Sequence, residues 1–173
     1  MQRILIVGIC GAGKTTLARE MASRLGLPLI HLDKEYWQPG WKVPDEAWWH
    51  ARVQELAAGD RWIMDGSYSS TLHLRLPRAD TIIHLDFPRR IAMYRILKRV
   101  ISGYGRTRPD LTDNCPEHFD WEFLKFTWNF RRDIRPKLEA LLSIQNPDLI
   151  RHCLCTPWEV QQFLNVYVRR EVT

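Results

Sequence analysis

The sequence predicts an α/β fold, with a five-stranded parallel sheet and helices on both faces. Two observations predict it. Short apolar runs alternate along the chain with longer segments of helical periodicity, and this order indicates strand–helix–strand units with right-handed crossovers. Four of the five apolar runs also end at a glycine or an aspartate, as expected where buried parallel strands leave the sheet at one edge.

The first strand and the first helix lie at the N-terminus. The run Ile4–Val7 is continuously apolar, which predicts a strand covered on both faces. Leu17, Met21 and Leu25 follow at helical spacing, and Gly26 ends that helix.

Four further apolar runs complete the predicted sheet. They are Leu29–Leu32, Trp62–Met64, Thr81–Leu85 and Leu149–Cys155. An acidic residue directly follows three of them: Asp33, Asp65 and Asp86. Because the carboxyl ends of parallel strands meet at one edge of a sheet, we expect these acids to lie near the turn that follows the first strand.

Helices account for most of the remaining chain. They are predicted over about 45–58, from 89 to about 102, over 117–135 and from 157 onward. An irregular stretch separates the second from the third of these. Pro136 should interrupt the third, because proline lacks the amide that a helix interior needs.

The turn after the first strand carries the most specific motif. Residues 8–15, GICGAGKT, fit the pattern G-x-x-x-x-G-K-[ST] at every fixed position. In such a turn the backbone amides surround phosphate oxygens, the lysine reaches the terminal phosphates and the hydroxyl binds Mg²⁺. We predict a nucleoside triphosphate site made of Gly8, Gly11, Ala12, Gly13, Lys14, Thr15 and Thr16.

The acids at the strand ends have different predicted roles. Asp65 is predicted to hold Mg²⁺, usually through water, beside Thr15. Asp33 is predicted to orient an acceptor hydroxyl or to accept its proton. Both could also be ordinary turn residues. Asp86 precedes Pro88 and is expected to cap the next helix.

A basic stretch follows the fourth strand. Residues 88–109 contain seven arginines and lysines and no acidic residue. Guanidinium groups stabilise a migrating phosphoryl group, so this stretch predicts a lid, with Arg106 and Arg108 as its first candidates for catalysis. A solvated helix face or a nucleic-acid patch would give the same composition.

Tryptophan is frequent, with eight residues. Trp49, Trp121 and Trp128 fall at helical spacing and are expected in the core. Trp37 and Trp41 lie in a Pro-Gly turn just after Asp33, where contact with an acceptor is plausible.

The composition narrows the class of protein. The 173 residues are 45% hydrophobic and 26% charged, with a formal net charge of +5, and no apolar run approaches the roughly 20 residues of a membrane span. No signal peptide is visible. The four cysteines show no zinc-site spacing, so we expect free thiols and a cytoplasmic location.

Longer motifs add a resemblance to a known family. They read GICGAGKTT, HLDKEYWQPGW, RWIMDGSYSSTLHLRLPRADTIIHLDFPR, GRTRPD, CPEHFDWEFLKFTWNF and TPWEV. Together they make nearly the whole chain similar to the bacterial DNA topology modulation proteins, which are small adenylate-kinase-like P-loop proteins. The resemblance implies the nucleoside-monophosphate-kinase fold in one domain over residues 1–173, with an acceptor-side insert at 33–59 and an arginine-bearing lid at 102–118.

The resemblance also implies ATP and Mg²⁺ as cofactors. One departure concerns the acceptor: adenylate kinases follow their Asp-Gly with Phe-Pro-Arg, whereas Asp65-Gly66 here leads to Ser67-Tyr68. The arginine that grips the phosphate of AMP in that motif is missing. The sequence therefore predicts an ATP-dependent kinase of an unidentified small acceptor. The alternative is an ATP-binding regulator associated with DNA topology, although no topoisomerase nucleophile or helix-turn-helix motif is evident.

Overall fold

The computed structural model describes residues 1–144, 146 and 148–168, and its centre is a parallel sheet. The five strands run in the order β2-β3-β1-β4-β5, and every pairing is parallel. The strands are β1 (Arg3–Gly8), β2 (Leu29–His31), β3 (Trp62–Asp65), β4 (Thr81–Leu85) and β5 (Ile150–Leu154). The predicted fold class is confirmed.

Helices cover both faces of this sheet. They are α1 (Lys14–Leu25), α2 (Leu32–Tyr36), α3 (Glu46–Ala57), α4 (Leu72–Arg75), α5 (Arg89–Gly103), α6 (Trp121–Asp133), α7 (Arg135–Ile144) and α8 (Pro157–Val166). Two short 3₁₀ turns, Ser69–Thr71 and Leu76–Arg78, flank α4.

The alternation of side chains along β1 divides the core in two. Ile4 and Ile6 pack with residues of α1, α6 and α8, whereas Leu5 and Val7 pack with residues of α3, α4 and α7. Both faces of β1 are fully buried, which explains why its sequence is apolar at consecutive positions rather than alternating.

The strand register brings the predicted site residues to one edge. Ile6 of β1 is paired with Asp65, and Gly8 is paired with Leu85 at the end of β4. The turn after β1 therefore lies beside Asp65, as the strand-end argument predicted.

The second strand ends earlier than predicted. It stops at His31, and Leu32 begins α2. Leu32 is fully buried against Trp49 and Val53 of α3. It therefore belongs to a small hydrophobic cluster that is separate from the two clusters packed on the sheet. Asp33 consequently lies in the first turn of a short helix rather than at a strand end.

The predicted helix over 117–135 begins later and ends earlier. It starts at Trp121, where the side chain of Asp120 accepts a hydrogen bond from the amide of Phe123 at 3.0 Å. Glu117 lies outside it, in an isolated bridge with Tyr104. The helix is interrupted between Asp133 and Arg135, just before Pro136, so the predicted interruption is confirmed.

Two of the three tryptophans expected in the core lie at the surface. Trp49 is buried, as predicted, whereas Trp121 is 70% exposed and Trp128 is 44% exposed. The buried side of α6 carries Leu124 and other residues instead. The ring of Trp128 lies under the guanidinium of Arg89, 4.2 Å from its centre.

The four cysteines, all within the described ranges, are free thiols. Among residues 1–144, 146 and 148–168, no helix combines the length and hydropathy that crossing a bilayer requires. The limits of the insert and of the lid remain predictions. The segment after α5 does fold back on itself, through isolated bridges from Tyr104 to Glu117 and from Thr107 to Pro116.

Candidate active site

The turn between β1 and α1 has the backbone of a phosphate-binding loop. Gly11 adopts φ +78, and a Cβ there would lie 2.5 Å from the carbonyl oxygen of Ala92, so only glycine fits this close approach to α5. Helix α1 starts directly after Gly13, which has no side chain to cap it. The first-turn amides of α1 are therefore available to an anion.

Lys14 lies at the opening of this loop. Its Nζ donates hydrogen bonds to the carbonyl oxygens of Gly8 and Ile9, at 3.1 and 3.2 Å. An ammonium held by two neutral carbonyls keeps its full charge, so it can attract phosphate to the loop.

Thr15 and Asp65 form the pair expected of a magnesium site. The Thr15 hydroxyl donates to Oδ2 of Asp65 at 2.7 Å, and His31 Nδ1 lies 3.2 Å from the same oxygen. Oxygen donors are those that Mg²⁺ prefers, and it keeps several water or phosphate ligands besides. The residues fit the ion in that mode. In the described part of the chain no three His, Cys, Asp or Glu side chains converge to form a complete protein cage.

The loop after β3 is tied to the phosphate loop by a residue that sequence reasoning missed. The Ser67 hydroxyl donates to the carbonyl of Gly8 at 2.8 Å and accepts from the amide of Gly8 at 3.1 Å. This serine occupies the first position of the departure from the adenylate kinase motif. It fixes the end of β1 relative to β3.

Arg75 supports the same loop from behind and was also missed. It is fully buried and donates to the carbonyl oxygens of Gly66, Ser67 and Tyr68 at 2.8–3.1 Å. Burial lowers the pKa of Arg75 to about 9, so the group still carries its charge at neutral pH. A structural guanidinium thus shapes the loop that carries Tyr68.

Asp33 faces the cleft beside Tyr68. The Tyr68 hydroxyl donates to Oδ1 of Asp33 at 2.8 Å. Burial raises the pKa of the Asp33 carboxyl, and the hydrogen bond from Tyr68 opposes that rise. Burial and the neighbouring carboxylate raise the pKa of Tyr68 as well, so this phenol keeps its proton and acts as a donor.

Aromatic rings continue from Tyr68 across the cleft. Successive ring centres lie 4.8–5.6 Å apart. We call this row the aromatic wall; its members are Tyr68, Tyr36, Trp37, Trp41 and His118. Trp37 and Trp41 line the cleft, and acceptor contact by these two remains a prediction.

The segment after α5 brings a cluster of ion pairs to the opposite side. Arg108 contacts Asp110 at 2.8 Å and Glu117 at 2.6 Å, and Arg99 contacts the same oxygen of Glu117 at 3.0 Å. Arg19 of α1 reaches Asp110 at 3.3 Å. We call these five residues the lid cluster. The two acids were missed, because nothing local distinguishes them from solvated loop residues.

The predicted lid arginines differ in position. Arg108 lines the cleft, whereas Arg106 is exposed and lies outside the cleft lining as described. Arg95 takes a place close to the phosphate loop, where it donates to the carbonyl of Ala12 at 3.0 Å. Three arginines of the basic stretch therefore line the cleft: Arg95, Arg99 and Arg108.

Asp86 does not cap α5. That helix begins after Pro88, which has no side-chain acceptor to offer. The Asp86 carboxylate instead forms ion pairs with the guanidinium groups of Arg131 and Arg135, each at 3.1 Å. The expected cap was wrong, because a buried carboxylate with two guanidinium partners is already satisfied.

The phosphate loop, Asp33, Asp65, the aromatic wall and the lid cluster all line one large open cleft of about 1550 Å³. It extends from the phosphate loop to the aromatic wall, and part of α8 borders it. Its volume exceeds the usual range for a single small ligand, and it has room for a nucleotide and a second compound.

Solved structures share this architecture over nearly the whole chain. A shikimate kinase from Acinetobacter baumannii matches with a TM-score of 0.60 at 16% identity, covering 100% of this chain and 96% of that one. A gluconokinase from Sinorhizobium meliloti matches with a TM-score of 0.51 at 16% identity, covering 98% and 94%. The chain has the fold of the P-loop kinases.

A curated relative points to the same group. An adenylate kinase from Clavibacter michiganensis subsp. michiganensis is 28% identical over 109 residues, which are 61% of this chain and 53% of that protein. The chain thus matches about half the length of this relative. No family model matches the chain, so the similarity to DNA topology modulation proteins remains a prediction.

Proposed function

We propose that this protein transfers the γ-phosphoryl group of ATP to a small acceptor, with Mg²⁺ as cofactor. One observation carries the proposal. The Thr15–Asp65 pair lies beside a lysine-bearing phosphate loop, and the same cleft is lined by Arg99 and Arg108. Groups suited to phosphates, to a divalent cation and to a migrating charge therefore line one cleft, which supports the proposal.

The phosphate loop would bind and orient the nucleotide. The loop amides and the first turn of α1 would receive phosphate oxygens, and Lys14 would exchange its two carbonyl partners for the terminal phosphates. Thr15 would hold Mg²⁺ directly, and Asp65 would hold it directly or through water. The ion, when bound, neutralises phosphate charge and so favours attack on the γ-phosphorus.

Asp33 would act on the acceptor. Its Oδ1 is engaged by Tyr68, which leaves Oδ2 to accept a hydrogen bond from an acceptor hydroxyl. A carboxyl whose pKa is raised by burial is a better proton acceptor than an exposed aspartate. Asp33 therefore takes the hydroxyl proton as the new bond forms.

Arg99 and Arg108 would stabilise the transferring group. In enzymes that use an arginine in this role, it raises kcat by roughly 10³–10⁵-fold. The segment that carries Arg108 would also exclude water, which otherwise competes with the acceptor. Arg106 stays a candidate only if that segment rearranges when nucleotide binds.

The rival function, an ATP-binding regulator associated with DNA topology, has no specific observation in its favour. The arginines of α5 that line the cleft are engaged with cleft residues, and this favours phosphate chemistry over duplex binding. The proposed cytoplasmic location rests on the free thiols.

Substitution of Lys14 tests the proposal. We expect Lys14→Ala to weaken binding of a non-hydrolysable ATP analogue by about 10–150-fold, since a charge-assisted hydrogen bond contributes about 1.5–3 kcal/mol. Transfer of radiolabelled γ-phosphate to a panel of nucleosides, nucleotides, sugars and polyols should also disappear. Lys137→Ala is the matched control, because Lys137 is an exposed lysine on α7. Unchanged analogue affinity in Lys14→Ala would refute the proposed nucleotide site.

A further inference from the structure

The acceptor end of the cleft has an unusual chemical character. It is formed by Asp33 and the aromatic wall, together with Ser69 and Ser70, which also line the cleft. The wall presents ring faces and edges, and the carboxylate and hydroxyls present hydrogen-bonding groups. Such a surface suits a compound that has both C–H faces and hydroxyl groups.

The cations of the cleft come from other segments of the chain, although the charges of Lys14 and Arg108 reach Asp33 and oppose the rise in its pKa. In the part of the chain that the structure describes, six lysine and arginine side chains line the cleft: Lys14, Arg19, Arg24, Arg95, Arg99 and Arg108. None of these six comes from the segments 29–45 or 66–71, which carry every member of the acceptor end except His118. Seven acidic residues line the same cleft, so the acids outnumber these cations.

Every one of these cations also has a partner already. Lys14 and Arg95 donate to carbonyls of the phosphate loop, and Arg24 pairs with Glu20 at 2.6 Å. The remaining three belong to the lid cluster, where three guanidiniums share two carboxylates. One net positive charge remains in that cluster, and the transferring phosphoryl group requires it.

An anionic acceptor would therefore be poorly accommodated. Its charged group would lose water without gaining a free cation, and it would approach the carboxylate of Asp33. Both effects are unfavourable, because a charge removed from water needs a partner and like charges repel most in a desolvated site. An uncharged acceptor incurs neither cost.

Resting on the function proposed above, we propose that the acceptor is an uncharged polyhydroxyl compound, packed on the aromatic wall with one hydroxyl bound to Asp33. Sugars, polyols and the ribose of a nucleoside share this chemistry. The acceptor oxygen forms a bond to the γ-phosphorus while the bond from that phosphorus to the β–γ bridging oxygen breaks. The electron pair of the broken bond leaves on ADP, and the hydroxyl proton passes to Asp33. The products are ADP and a phosphate monoester.

The test uses pairs of compounds that differ mainly in charge. Glucose is compared with glucuronate, glycerol with glycerate, and adenosine and thymidine with their 5′-monophosphates, in assays of radiolabelled γ-phosphate transfer by the full chain. We expect the uncharged member of at least one pair to exceed its anionic partner by about tenfold or more in kcat/KM, since a buried charge without a partner is strongly rejected. The pair that responds identifies the kind of hydroxyl compound.

A charge introduced at the acceptor end sharpens this test. Ser70 is exposed and lines the cleft, so Ser70→Lys adds a cation there without disturbing the core. The variant should shift the ratio of the two kcat/KM values toward the anionic partner by about tenfold. Ser23→Lys is the control, because Ser23 is exposed on α1 outside the cleft lining described here, and it should leave the ratio unchanged.

The outcomes separate this inference from the function on which it rests. Preference for the anionic member of every pair that reacts would overturn the uncharged acceptor and leave the kinase intact. An unchanged ratio in Ser70→Lys would also count against the inference. Binding of the ATP analogue with no labelled product from any compound would overturn the transferase function itself.

Discussion

Glu117 holds the lid cluster together, and replacing it by glutamine should be the most informative single change. Its carboxylate contacts the Nε atoms of Arg108 and Arg99 at 2.6 and 3.0 Å, and its side chain is only 5% exposed. Glu117→Gln preserves shape and removes the charge. Two guanidiniums then lie close together with one neutral oxygen between them.

The size of the effect follows from the burial of these groups. Removing one member of a buried ion pair costs about 3–5 kcal/mol, because the remaining charge is left without compensation. Arg108 keeps Asp110, and the Arg99 side chain is 31% exposed. We therefore expect the lower end, a loss of about 3 kcal/mol in the free energy of unfolding, which corresponds to roughly 6–12 °C in Tm for a chain of this size.

Urea denaturation and thermal unfolding measure this loss, with Glu55→Gln as the control. Glu55 forms an ion pair with Arg52 at 2.8 Å, but the Glu55 side chain is 71% exposed. The same chemical change there should cost no more than about 1 kcal/mol. A saturating Mg²⁺–ATP analogue should reduce the loss caused by Glu117→Gln, because phosphate would supply the missing negative charge.

Equal small losses in the two variants would refute this reasoning. They would mean that the lid cluster is solvated and contributes no more than surface ion pairs do. A large loss that the analogue does not reduce would keep Glu117 as a structural acid. It would also remove Arg99 and Arg108 from the nucleotide phosphates.

Three other predictions concern the phosphate loop and the acceptor carboxylate. Arg75→Met should lower the free energy of unfolding by about 2–4 kcal/mol in urea denaturation, because three loop carbonyls lose a buried charged donor; a loss below about 1 kcal/mol would contradict this. Gly11→Ala should cost about 2–5 kcal/mol from its positive φ and its clash with α5, and Gly26→Ala only about 1–2 kcal/mol, since among the described residues nothing lies within 4 Å of its added Cβ; equal Tm values for these two would contradict the close approach. The kcat/KM of transfer should fall as pH falls through the raised pKa of Asp33, and Tyr68→Phe should move that fall to higher pH, because the lost hydrogen bond favoured the charged carboxylate; a pH profile that Tyr68→Phe leaves unmoved would remove Asp33 as the base.

Local patterns were sufficient to predict the sheet and the phosphate loop. A strand buried on both faces must be apolar at consecutive positions, and a loop that approaches α5 closely must carry glycine at position 11. Both requirements determine residue types at particular positions, so they can be recognised from the sequence alone. The interruption before Pro136 was predictable for the same reason, since proline lacks the amide that a helix interior needs.

The errors and omissions occurred where a residue's position depends on contacts with another part of the fold. Leu32 extends an apolar run, but it packs on α3 and starts a helix. Arg75 was missed because nothing local indicates that it is buried, with its guanidinium donating to carbonyls of a loop seven to nine positions earlier. Trp121 and Trp128 have the spacing of core residues, and only the position of α6 on the sheet decides which side of it is covered.

The candidate site also contains residues whose proximity was predictable from the sequence and residues whose proximity was not. Lys14, Thr15 and Asp65 belong to a motif and a strand end, so their proximity could be predicted. Glu117 and Arg99 meet only because the segment after α5 folds back on that helix. No periodicity in the sequence indicates such a contact.

The central place of β1 has a consequence for biosynthesis. This strand is the first to leave the ribosome, yet Ile4 pairs with Ile63 on one side and with Thr81 on the other. At translation rates of about 5–20 residues per second, the nascent chain waits roughly 4–15 s before Thr81 has been made. For about the first 3–12 s a continuously apolar segment lacks both neighbours, because Ile63 has not been made either. The sheet therefore cannot be completed in the order of synthesis, and its central strand lacks one neighbour until β4 has been made.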